Sequence, residues 1–177
     1  MVTKSHILRL MVCVGLLFSA HLSESQVIDI GNGEKVDCEY ASGTLETALC
    51  SLHYVKQSEK ELDSLHQIAY QLLDSLAIEQ EKVKEEIRKE KAISQLQKDA
   101  KTHRLNAMTD YLEIKDHLKQ SQKSFHMYVE SQAGITGEMV GRGTGRATLE
   151  NDTRLSLLYQ EIKKLKSLLE TLRTELL

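Results

Sequence analysis

The sequence predicts an all-α protein in which a long coiled-coil helix and a shorter C-terminal heptad helix are joined by a Gly-rich loop. Three observations carry that reading. No Pro or Gly interrupts the chain from Leu45 to Ala133. Leu155, Leu158, Ile162, Leu165, Leu169, Leu172 and Leu176 recur in alternating steps of three and four, a stripe that only a facing stripe on another helix buries. With 28% charged and 5% aromatic residues, no Pro and no Trp, the chain lacks the bulky residues and turn formers from which a mixed core is built. The net charge of −3 arises from 26 acids interspersed with 23 bases, the pattern of solvated helix faces, which excludes a nucleic-acid footprint.

Residues 1–25 read as a secretory signal peptide. Lys4 and Arg9 give a basic start, Leu10 to Phe18 an apolar run too short to span a bilayer, and Ser23 and Ser25 a small-residue cleavage site. The expected mature product is secreted and extracellular. Residues 26–43 form a turn-rich leader with Gly31, Asn32, Gly33, Asp37 and Ser42 and no helical periodicity. Cys38 lies in this leader and Cys50 in the helix after it. An oxidising compartment pairs such thiols, either with each other as a small loop or with other copies as a staple between helices.

Thr44 is the expected N-cap of a helix over 44–133. Leu45, Ala48, Leu52 and Val55 keep one register and Leu62, Leu65, Ala69, Leu72, Leu76 and Val83 another, with a skip near Glu59. Spacings of eleven link Leu65, Leu76 and Ile87, favouring nearly straight packing. From Glu79 to Lys91 charge dominates and the segment reads as a spacer. Tyr111, Phe125 and Tyr128 stand at helical spacing and are expected to pack on a partner helix.

Gly134, Gly137, Gly141, Gly143 and Gly145 mark 134–151 as a flexible linker. Asn151, Asp152 and Thr153 form a glycosylation sequon at its end, expected in an exposed loop. The heptad helix over 152–177 then supplies the main association surface, between copies or folded back antiparallel on Leu105 to Tyr128.

No residue set announces catalysis. The run from Gly141 to Arg146 lacks the Lys-Ser/Thr pair of a phosphate loop and is not preceded by a strand. Arg142 and Arg146 are better placed for proteolytic nicking. His53, His66, His103, His117 and His126 lack the spacing of a helical zinc site, so neither a metal nor a cofactor is expected, nor an enzyme. The narrow apolar stripe also argues against lipid coating.

The order of signal peptide, long charged helix and shorter helix resembles the N-terminal coiled-coil region of angiopoietin-like secreted proteins. That resemblance implies a secreted regulator acting by protein contact, for instance on an extracellular lipase. The residues themselves support a less specific reading, a secreted coiled-coil protein that homo-oligomerises or pairs with another coiled-coil or extracellular protein as an interaction or structural module. A helical cytokine-like ligand, in which the long helix breaks and its pieces form a bundle, is the rival; uninterrupted helix from Leu45 to Ala133 speaks against it.

Overall fold

The computed structural model describes residues 27–29, 35–91, 94–143 and 145–176. The signal-peptide reading of 1–25 and the turn residues Gly31, Asn32 and Gly33 lie outside them. The described chain is almost entirely helical and divides into two compact units at Cys50.

In the first unit, strands β1 (Val27–Asp29) and β2 (Lys35–Asp37) pair antiparallel with Ile28 opposite Val36. The alternation along each strand buries those two side chains and leaves most of their neighbours in water. The leader, expected to lack helical periodicity, is extended here and paired as a hairpin. Helix α1 (Thr44–Lys89) begins here. Its cap is Gly43 rather than Thr44: the Glu46 carboxylate accepts from the Ser42 and Gly43 amides, both at 3.2 Å, satisfying donors that a helix start leaves open.

The second unit contains the rest of α1 and three further helices, α2 (Gln95–Asn106), α3 (Tyr111–Val140) and α4 (Arg146–Glu175). The continuous helix expected over 44–133 is therefore broken twice, without Gly or Pro. At the first break Ser94 and Gln97 form a capping box, the Gln97 amide donating to the Ser94 hydroxyl at 3.3 Å and the Ser94 amide to the Gln97 side chain at 3.2 Å. At the second, one oxygen of Asp110 accepts from the Leu112 and Glu113 amides, both at 3.0 Å. The Gln80 side chain of α1 holds this turn by donating to the Thr109 carbonyl.

Cross-helix pairs fix the directions. Asp74 meets Lys115 and Tyr70 meets Gln122, so α3 runs antiparallel to α1. Tyr111 meets Glu175 and Glu130 meets Arg154, so α4 runs antiparallel to α3. Ser51 meets Asp152 and Glu61 meets Lys166, so α4 runs parallel to α1. The result is an up-down-up three-helix bundle.

Its core joins Val55, Leu62, Leu65, Ala69, Leu73 and Leu76 of α1 to Leu158, Ile162, Leu165, Leu169 and Leu172 of α4, with Tyr111, Leu118 and Phe125 of α3 packed against it. Ser51 and Ser58 are buried too, so the seam of α1 runs through 51, 55, 58, 62, 65, 69, 73 and 76 without the skip expected near Glu59. Leu45, Leu52 and Val83, assigned to seams by periodicity, are exposed. The eleven-residue spacing holds: Leu65, Leu76 and Ile87 are all buried.

Candidate functional site

The heptad seam is buried by its own chain. Leu158, Ile162, Leu165, Leu169 and Leu172 are each at most 5% exposed, with Leu155 and Leu176 partly buried beside them. Of the two arrangements open to this helix, the structure contains the fold-back on α3, with α1 closing over the pair. At order of magnitude each such side chain contributes about 1.5–3 kcal/mol when fully buried.

The tight end of the α3–α4 hairpin corrects the 134–151 linker. Gly134 and Gly137 lie inside α3, and the connector is only 141–145, turned by Gly141 at φ 76°. Val129, Ala133 and Gly137, one helical turn apart, are the buried residues of α3. A Cβ on Gly137 would stand 1.9 Å from Glu150 Oε1 and 2.9 Å from its Cγ, so a side chain there displaces Glu150, whereas Gly134 faces open space. Glu150 lies across this gap, 2.7 Å from Arg146, which also meets Glu138 of α3 at 2.7 Å.

Asn151 stands one turn into α4 and is 6% exposed, its Oδ1 accepting from Arg154 at 3.2 Å. The exposed loop expected at the sequon is absent, because α4 starts six residues earlier than Asp152. Thr153 donates to the Leu149 carbonyl at 2.9 Å and lies 3.2 Å from the Thr136 hydroxyl, so sequon and seam share one packed joint. Arg154 reaches Glu130 with two nitrogens, at 3.0 and 2.8 Å. The hydrogen bond from Arg154 holds the Glu130 carboxyl below its usual range, and that same bond raises the guanidinium.

Cys38 and Cys50 are bonded to each other, with Cα atoms 5.5 Å apart across twelve residues. The intramolecular loop is thus the form the structure contains.

Midway along the bundle is a polar cluster that sequence spacing did not reveal. His66 of α1 is 2% exposed, its Nδ1 3.0 Å from the Leu62 carbonyl oxygen; that oxygen only accepts, so Nδ1 carries the proton. Tyr70, one turn on, donates to Gln122 of α3 at 2.6 Å, and Gln122 donates to Asp63 at 3.1 Å. His126 of α3 lies 4.0 Å from Asp63. Burial pushes the Tyr70 phenol up, with Asp63 adding to the rise. Among the described residues no group of His, Cys, Asp and Glu is arranged to hold a metal ion.

On the outer side of the hairpin an open groove of about 590 Å³ runs between Phe125 and Tyr128 of α3 and Leu157, Gln160 and Lys164 of α4. Tyr128 is exposed, unlike Tyr111 and Phe125, so only two of the three aromatics pack as expected. Ile135 and Met139 continue the same face of α3 and are exposed as well. No described helix is long and apolar enough to cross a membrane. No protein-family model, curated protein or solved structure matches the chain.

Proposed function

We propose that this chain is a secreted helical bundle, preceded by a disulfide-closed leader, that acts outside the cell by protein contact, in the manner of a helical ligand rather than of a rod-like coiled coil. One observation carries the reading. The most regular apolar stripe in the sequence is occupied inside the chain, while Tyr128, Ile135 and Met139 stand exposed on one face of α3, Tyr128 at the edge of an open groove lined by both polar and apolar side chains. Isolated surface apolar residues need no explanation, but a row along one helix rimmed by polar side chains is a feature of interaction surfaces. Self-association through the C-terminal seam has less support, since it requires the hairpin to open first. The Cys38–Cys50 bond and the signal-like 1–25 segment support an oxidising, extracellular destination.

Expression of the tagged full chain in a secreting eukaryotic cell tests both halves. The protein is expected in the medium with its thiols blocked, binding saturably to a panel of intact cells. The variant carrying Tyr128→Asp and Met139→Asp is expected to melt like wild type and lose that binding. Retention in the cell lysate would overturn secretion, and equal binding by the variant would overturn the α3 surface.

A further inference from the structure

The imidazole of His66 is 2% exposed and, among the described residues, is the buried histidine of the bundle, its Nδ1 3.0 Å from the Leu62 carbonyl oxygen. It stands at the level where all three helices meet. Leu62 and Leu65 precede it on α1 and Ala69 and Tyr70 follow, all buried. The charged and titratable groups that face it are Asp63 and Tyr70 on α1, His126 on α3 and Glu161 on α4. The loss of water disfavours a charge on the ring and outweighs the hydrogen bond to the Leu62 carbonyl, Asp63 and Glu161, which favour it, while a charge on His126 adds to the opposition. Burial, the largest effect, therefore holds His66 below the ordinary imidazole value of 6.5.

We propose that the cluster of His66 with Asp63, His126 and Glu161 is an acid-operated latch, in which protonation of His66 loosens α1 from the α3–α4 hairpin and uncovers the leucine seam. The unfolded chain takes up the proton before the folded one. The stability that neutral His66 contributes is complete above about pH 6.5 and falls as pH drops through that value, levelling off below the folded-state pKa. The carboxylate side acts in a different window. Glu130, held low by Arg154, gives stability that is lost only as pH falls from the ordinary carboxylate range through its depressed folded value. Loosening that begins as pH falls through about 6.5 thus lies outside the window of the Glu130–Arg154 pair. In an acidified compartment of the secretory or endocytic route that opening would uncover Leu158, Leu165 and Leu172.

The test uses the full disulfide-bonded chain, as wild type, His66→Leu and the exposed control His103→Gln. Between pH 7.5 and 5.5 the melting temperature of wild type and of His103→Gln is expected to fall by roughly 5 °C, and that of His66→Leu by less than half as much. Over the same interval amide exchange in 158–172, corrected for its intrinsic pH dependence, is expected to accelerate in wild type and not in His66→Leu. Equal falls in all three proteins, or unchanged exchange in wild type, would overturn the latch. Should His66→Leu fail to fold, the wild-type imidazole resonances decide: titration of His66 at or above the ordinary value overturns the proposal, and titration below it with accelerated exchange supports it.

Discussion

Helices α2 and α4 each fold back on the helix before them, yet they are held by opposite means. Five apolar side chains of α4 are buried, while α2 has no buried residue. What secures α2 is polar: Lys101 donates to the Arg88 and Glu90 carbonyls at 2.6 and 3.0 Å, and Arg104 pairs with Glu90 at 3.1 Å. These bonds satisfy carbonyls that the end of α1 leaves open, but all are exposed, where such pairs contribute little. Regular helix is thus common to both, and only the apolar stripe distinguishes a structural member from a decorated turn.

That contrast can be broken most severely at Leu165, in the middle of the seam. Leu165→Asp puts an unpaired charge in the core and is expected to cost about 3–5 kcal/mol, read as loss of cooperative melting. Leu96→Asp on α2, where the side chain is 80% exposed, is expected to change stability by less than about 0.5 kcal/mol.

Between those extremes the two glycines of α3 sharpen the account of the tight hairpin. Gly134→Ala meets nothing and is expected to gain up to about 1 kcal/mol in helix propensity. At Gly137 the new methyl displaces Glu150 from Arg146, so Gly137→Ala is expected to melt about 1 kcal/mol or more below the Gly134 variant. Equal behaviour at both sites would return the segment to the flexible linker that its composition suggests.

Arg154→Ala removes the reach to Glu130 and Asn151 and is expected to cost about 1 kcal/mol at neutral pH. The cost should shrink in acid, as Glu130 is protonated through its depressed value.

How much of this was legible in the sequence follows from the same physics. The helical class and the seam from Leu155 to Leu176 were readable because leucines at heptad spacing have few other uses. Their burial inside one chain was open, since the same leucines serve either answer. The two breaks carried a signal that the absence of Gly and Pro masked: Ser94 with Gln97 and Asp110 with Glu113 have the spacing of helix starts. The 134–151 linker was misread because its glycines suggest flexibility by composition, whereas Gly134 and Gly137 are carried inside α3 and α4 begins at Arg146. The His66 cluster was invisible because its members come from three helices. Ser51 and Ser58, polar residues in an apolar seam, produced the false register skip near Glu59.

The central claim is that the seam of α4 is satisfied within one chain, and amide exchange of the 155–172 segment as a function of protein concentration tests it most directly. An intramolecular bundle predicts protection in that segment comparable to 62–76, far above 95–106, and unchanged over roughly a hundredfold dilution. Protection that falls on dilution would show the leucines to be buried between chains and would contradict the account.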